Sequence, residues 1–254
     1  MITAPLFTVF TPTYNRAHLL NRVYESLKKQ TCKDFEWLIV DDGSTDGTDN
    51  LVAVWKQDPG TDFPIRYIWQ KNGHKKKAFN RGVKEAAGAL FLPWDSDDEA
   101  VPNALETFRQ HWLSIPLQHR QDFVGVCGLC EDPNGKQIGD PFPAQLLDSD
   151  SLEVRYRYGV TGEKWGFSRT DVLRQYPFPE NIRGHVPEGI VWSAVAHRYQ
   201  TRFISEVLRI YHPADDSITF TGKRGRHFEG HHLWANSILD NEPDWFRFQP
   251  AWFF

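Results

Sequence analysis

Acidic side chains crowd two short stretches of this chain. In Asp95-Ser96-Asp97-Asp98-Glu99, four acidic groups fall in five positions, directly after the apolar run at 89–94. Asp95 and Asp97 bring two carboxylates close together with an open side toward solvent. Hard cations such as Mg²⁺ and Mn²⁺ take oxygen ligands and keep positions free for the phosphate oxygens of a substrate. A capping cluster for the helix after Pro102 is the competing role, since acidic groups favour helix starts. So much like charge nevertheless calls for a cation. The second stretch, Asp41-Asp42-Gly43-Ser44, reads as a turn followed by an N-cap. A carboxylate there can also accept the N–H of a nucleobase, with Tyr14 stacking on the ring. The chain has neither a dinucleotide glycine pattern nor a P-loop. A phosphate would be held by metal and cations instead, and Lys71, Lys75, Lys76, Lys77 and Arg81 are available. A solvated basic helix face accounts for the same five residues.

Elements that would position these groups follow from periodicity. Residues 6–11, 35–40, 65–69, 89–94 and 122–129 are short apolar or β-branched runs, read as strands. Between them, 16–29, 48–57, 75–87 and 102–112 carry helical spacing, with Thr45 or Asp46 as a cap for the second. Strand-helix alternation means βαβ units and a parallel sheet with helices on both faces. Ligands bind beyond the carboxyl ends of such strands. The clusters at 11–16, 41–47 and 95–98 all fall there, so three loops converge on one edge. Beyond residue 130 the pattern loosens. Asp132-Pro-Asn-Gly135 is a turn. The segment 162–168, helices near 170–175 and 188–199, and strands near 202–211 follow. With no linker and no repeat, this half completes the same domain.

The chain has 254 residues with a net charge of −4 and a mean hydropathy of −0.53. Its apolar fraction of 40% is enough to exclude disorder for the bulk of the chain. The charge gives no polycation, so no nucleic-acid partner is expected. No apolar run reaches the ~18 residues that span a bilayer, and no signal peptide is read at the N-terminus, which makes the cytoplasm the expected compartment. Three cysteines cannot all pair. Cys127 and Cys130 lie on a strand, where positions i and i+3 face opposite ways, so buried reduced thiols are expected rather than a disulfide or zinc site.

The ordered set Thr11-Pro-Thr-Tyr-Asn-Arg16, Val40-Asp-Asp-Gly-Ser-Thr-Asp-Gly-Thr48, Lys71-Asn-Gly73 with Asn80 and Gly82, and Trp94-Asp-Ser-Asp-Asp98 resembles the motifs of the family 2 glycosyltransferases. The match covers about residues 5–115, and more loosely extends to about 215. The resemblance implies a single α/β domain of GT-A type, with a mostly parallel central sheet and helices on both faces. It implies inverting transfer of a sugar from a nucleotide-diphospho-sugar, UDP-linked at family level, assisted by Mn²⁺ or Mg²⁺. Pro12, Thr13, Tyr14 and Arg16 would line the nucleotide-sugar site, and Asp42 would bind the base edge. Lys77 would lie near the diphosphate, Asp95 and Ser96 at the sugar or ribose, and Asp97 on the metal with Asp95. The family's later acidic motif is best matched by Val186-Pro-Glu-Gly-Ile-Val-Trp192, which makes Glu188 the catalytic base where Asp is usual. His212, with His227, His231 and His232 as alternatives, would be a further metal ligand, and Glu163 a reserve base.

The expected organisation is a transferase domain at 1–225, with a nucleotide-sugar half at 1–130 and an acceptor half at 131–225. An aromatic helical tail follows at 226–254. The acceptor would be a glycan or a lipid-linked one, within glycan or polysaccharide assembly. Trp165, Trp192 and Trp234 are read as core residues before sugar platforms. The tail carries Trp245, Phe246, Phe248, Trp252, Phe253 and Phe254. Such a terminus needs cover. It packs back on the domain, forms a homo-oligomer contact, or touches the inner membrane face weakly as a peripheral protein, since a dense basic face is missing. A non-catalytic nucleotide-sugar or glycan-binding module would lack Asp97 or Glu188, and both are present. A sugar-nucleotidyltransferase would carry a Gly- and Arg-rich loop after the first strand, and 11–16 is not one.

Overall fold

The two most deeply buried strands, β1 (Phe7–Thr13) and β2 (Phe35–Asp41), lie side by side in parallel, from Phe7 opposite Phe35 to Thr13 opposite Asp41. Both are buried almost throughout without alternation, as strands covered on two faces are. In the computed structural model, which describes residues 4–212 and 228–248, they form the centre of the N-terminal half. β3 (Ile65–Trp69) continues the sheet beyond β2, and β4 (Leu90–Pro93) pairs with the other side of β1, both in parallel. Helices α1 (Ala17–Lys28), α2 (Thr48–Gln57) and α4 (Ala104–Ser114) share one core face through Leu20, Val52 and Phe108. Helix α3 (Lys75–Glu85) covers the other face through Ala78 and Phe79.

The second half joins the same sheet and changes its sense. β6 (Phe123–Glu131) does not neighbour β4. β9 (Lys164–Arg169) runs between them, antiparallel to both. Glycines permit this close approach. A Cβ on Gly125 would stand 1.9 Å from the Phe167 carbonyl oxygen, and one on Gly166 would stand 2.2 Å from that of Val126. β10 (Gln200–Ile210) lies parallel to β6, with β5 (Glu99–Ala100) and β8 (Leu146–Ser149) antiparallel on it, and β7 (Gln137–Ile138) pairs with β6. The sheet is therefore mixed, with a parallel N-terminal part. Cys127 and Cys130 pack into different clusters on opposite faces of β6, and all three cysteines are free. Burial pushes the thiols of Cys127 and Cys130 up to about 12.

Helices α5 (Thr170–Leu173) and α6 (Gly189–Ala196) lie on the α3 face, and α7 (Phe228–Asn241) packs against α6. Just past α7, the Tyr156 hydroxyl donates to Glu242 Oε2 at 2.7 Å, and Trp245 stacks on the Tyr156 ring. The described part of the tail thus packs back on the domain. His227, Trp252, Phe253 and Phe254 lie outside the described residues. Among the described residues, no helix is long and apolar enough to cross a membrane.

Two of the loops at the sheet edge are fastened to each other. Asp46 Oδ2 accepts the Ala17 N–H at 2.8 Å, while its Oδ1 accepts the Thr48 N–H and hydroxyl. One carboxylate therefore serves the starts of α1 and α2. Burial would raise its pKa, but the bonds from Thr48 and Ala17 hold it below the usual carboxylate range. The N-cap position of α2 is Gly47, one residue after Asp46 and two after Thr45. Asn15, at φ +52°, donates its N–H to Ser44 Oγ, and its side-chain oxygen accepts the Thr45 N–H, both at 2.8 Å. Asp46→Ala should lower unfolding free energy by about 1–2 kcal/mol, read from the urea midpoint at unchanged slope.

Candidate active site

The clasped loops end where β1 and β2 end. The Thr13 carbonyl accepts the Asp42 N–H at 2.8 Å, which sets Asp42 directly beyond the strand pair. Asp41 is used structurally: Oδ1 accepts the Ser44 N–H at 2.7 Å and Oδ2 the Tyr67 hydroxyl at 2.5 Å. Asp42 Oδ1 accepts from Gln70 Nε2 at 2.7 Å and from the Gly73 N–H at 2.9 Å, tying this turn to the loop before α3. Gly43 sits at φ +94° with Asn72 against it, so a side chain there would be strained. Tyr14, just past the end of β1, stands half exposed, while Thr13 is buried and Pro12 partly so.

The acidic cluster after β4 is neutralised by cations of the protein itself. Lys75, the first residue of α3, places Nζ 3.1 Å from Asp95 Oδ1 and 3.2 Å from Glu188 Oε1. Arg209, buried in β10, reaches Asp95 Oδ2 at 3.3 Å and bonds the fully buried Asp98, which also accepts the His212 N–H at 2.9 Å. Arg16 donates to Asp97 Oδ2 at 3.1 Å and to Ser96 Oγ at 3.3 Å. Arg22 bonds the Asp97 carbonyl and lies 3.7 Å from Glu99. The charge density that called for a cation in the sequence is thus met by Lys75, Arg16, Arg22 and Arg209, from α3, α1 and β10.

These contacts set the protonation states. Asp95 and Glu188 together hold the Lys75 ammonium above its ordinary range. Burial would raise Asp95, but Lys75 and Arg209 outweigh it and hold that carboxyl at about 2. Burial pushes Asp98 the other way, to about 7, against the pull of Arg209.

Of the expected residues, Arg16, Ser96, Asp97, Asp95 and Glu188 meet at this edge, joined to Asp42 and Tyr14 by the clasped loops. The expected metal trio is not gathered. Asp95 is engaged by Lys75 and Arg209, and among the described residues no group of three His, Cys, Asp or Glu side chains is placed to hold an ion. Asp97 and His212 still fit a cation that also draws on substrate oxygens, which needs only one or two protein ligands. His212 Nε2 is buried without a hydrogen-bond partner, although Glu99 Oε1 lies 3.1 Å away. Lys77 is exposed with its stem along Gly73, and Lys76 is buried, donating to the Ile182 and Gly184 carbonyls. Lys75 is the member of the triplet that reaches the cluster. Trp165 is a core residue, its Nε1 donating to the Pro93 carbonyl. Arg209 was not anticipated, although a guanidinium between Leu208 and Ile210 in an apolar strand is a usable signal.

Residues 8–169 match the family described as Glycosyl transferase family 2. The chain belongs to that family. It is 27% identical over 250 residues to GalNAc(5)-diNAcBac-PP-undecaprenol beta-1,3-glucosyltransferase of Campylobacter jejuni, covering 94% of this chain and 75% of that enzyme. An uncharacterized glycosyltransferase of Rickettsia felis is 42% identical over 202 residues, 75% of this chain but 30% of that protein. Among solved structures, S. aureus TarS 1–349 in complex with UDP-GlcNAc superposes with a TM-score of 0.69 at 23% identity, over 93% of this chain and 67% of that one. The mannosyltransferase PcManGT of Pyrobaculum calidifontis, in complex with GDP-Man and Mn²⁺, gives 0.66 at 21%, over 95% and 67%. The family 2 chain is thus a glycosyltransferase on a GT-A-type fold, as its motifs imply.

Asp95 provides a pH test of the cluster. Its folded pKa lies below the ordinary value, so its contribution to stability is present above about pH 4 and is lost as pH falls toward about 2. The difference in urea midpoint between the natural chain and Asp95→Asn should shrink as pH falls from about 4 toward about 2. A difference that grows over that range would contradict the Lys75 and Arg209 contacts.

Proposed function

We propose that this transferase moves a sugar from a nucleotide-diphospho-sugar, UDP-linked, to an acceptor hydroxyl in one displacement with inversion. The observation that carries the reading is the Lys75 ammonium between Asp95 and Glu188, which ties the donor side of the cleft to the base side. Glu188 stands just ahead of α6, half exposed at the sheet edge, where a helix start favours a carboxylate. It takes the proton of the acceptor hydroxyl as that oxygen attacks the anomeric carbon. Tyr14 stacks on the base over Pro12 and Thr13, and Asp42 accepts its N–H. Asp95 and Ser96 hold the sugar or ribose, and Arg16, Lys75 and Lys77 face the diphosphate. A divalent cation, Mn²⁺ or Mg²⁺, would be held by Asp97 and His212 and supplies positive charge where the departing diphosphate gains negative charge.

In this reading residues 1–130 bind the donor, 131–225 bind the acceptor, and 226–254 form the tail. The Campylobacter relative's name includes a PP-undecaprenol-linked glycan. That supports a lipid-linked glycan acceptor here, in glycan or polysaccharide assembly, with the protein in the cytoplasm and only weakly attached to the inner membrane face.

Glu188→Gln should bind UDP with Mn²⁺ as the natural chain does, by calorimetry, while sugar transfer falls by about 10²–10⁴-fold. A loss under about tenfold would move the role to another carboxylate. Separately, Asp97→Asn should lose most nucleoside diphosphate release from UDP-sugars together with its response to Mn²⁺. An active variant with an unchanged Mn²⁺ response would remove Asp97 from the metal.

A further inference from the structure

Trp165 is buried and Trp192 and Trp234 are partly so, but Trp69, at the end of the edge strand β3, is 58% exposed. It is the only exposed tryptophan among the described residues. Tyr67 packs on the core face shared with α1 and α2, and Trp69, two residues along the strand, points to the same face. There the indole borders a hollow of about 550 Å³ at the start of α2, lined also by Ser44, Thr45, Asp49, Asn50 and Tyr67. An indole left in water favours a ligand with an apolar face to lay on it. The polar groups beside it are accessible and uncommitted. Asp49 and Asn50 are exposed, and among the described residues their side chains make no hydrogen bond or ion pair. No lysine or arginine lines the hollow, and Asp49 does, so an anion is disfavoured. An apolar molecule would take water from Asp49 and Asn50 and return nothing. A quaternary ammonium is held best inside a cage of rings, and one exposed indole is no cage. A sugar ring fits what is present. One face of a pyranose carries C–H groups that lie on an indole, and its rim carries hydroxyls that donate to Asp49 and accept from Asn50.

We infer that Trp69 is a stacking platform for a sugar ring, with Asp49 and Asn50 binding the hydroxyls at its rim. β2 and β1 separate β3 from β4, the strand that leads to Asp95, so the two strands lie about 14 Å apart at ordinary spacing. That distance is too long for the sugar being transferred. It suits a stretch of acceptor glycan remote from the hydroxyl that reacts. Assigning the platform to the acceptor rests on the reading of the chain as a transferase with a glycan acceptor.

The test uses the full chain with chitopentaose and maltopentaose as probes, and choline as the probe for a cation site. The indole N–H signals of the isotope-labelled chain are followed by NMR, and the signal missing from Trp69→Phe is that of Trp69. At least one saccharide should shift this signal saturably, in the natural chain and in Glu188→Gln alike. By saturation-transfer NMR the same saccharide should bind about tenfold more weakly to Trp69→Ala and about threefold more weakly to Asn50→Ala. Trp69→Phe, which keeps a ring, should lose less than Trp69→Ala. Should Trp69→Ala not fold, as judged by its thermal transition, Asn50→Ala and the indole signal decide. A Trp69 signal that neither saccharide moves, one that choline alone moves, or equal saccharide binding to the natural chain and these variants overturns the inference. Release of UDP from UDP-sugars is followed in parallel and should be the same within about twofold in Trp69→Ala. A larger loss would place Trp69 in the donor site and overturn the platform. If no chain releases UDP, the proposed function fails, while a saccharide seated on Trp69 still supports the site.

Discussion

One ammonium, Lys75 Nζ, stands between carboxylates that are 93 positions apart in the chain, Asp95 and Glu188. The geometry of the cleft depends on that sharing. Asp95 arrives on the loop after β4, Glu188 arrives at the start of α6, and Lys75 opens α3 between them. Arg209 holds the other side of Asp95, so the carboxylate is fixed from two directions. Lys75 and Glu188 are both about half exposed. An exposed pair of this kind contributes about 0–1 kcal/mol, which suits a contact that a substrate can rearrange. Asp98 and Arg209, by contrast, are buried together, and breaking that pair would leave a charge stranded in the interior.

The same arrangement alters what the acidic cluster means. Four carboxylates in five residues resemble an ion site, yet three arginines and a lysine from other parts of the chain neutralise them. On the proposed reading, any cation here would join a site already balanced in charge, through Asp97 and His212 and the oxygens of the donor. Its affinity would then be tied to the presence of the diphosphate, because few protein ligands remain for it.

The strands and helices of the first 115 residues were legible because their burial is nearly complete on one or both faces, and the apolar period reports burial directly. The loop clusters were legible because strand ends in such sheets collect polar residues. Choosing among Lys75, Lys76 and Lys77 was not possible from the sequence. Consecutive helical positions point about 100° apart, and only the packing of α3 decides which one faces the cluster. Lys76 turned inward to two carbonyls, which no propensity reveals. The segment 162–168 was picked out, but its place as β9 between β4 and β6 was hidden for another reason. Its sequence, Lys-Trp-Gly-Phe-Ser-Arg, alternates over only a few residues, and its place beside β6 rests on glycine contacts formed only in the tertiary structure.

That inserted strand also governs the order in which the protein can assemble. β4 and β6 are separated by β9, so the edge of the N-terminal parallel sheet stays open until residue 169 has been made and threaded back between them. Until then β4 lacks its partner on that flank, and the sheet closes through contacts of long sequence separation. Such pairings are slow to form and leave the chain exposed to wrong partners in the interval. The N-terminal part of the sheet is thus completed only when the second half of the chain supplies the strand that flanks it.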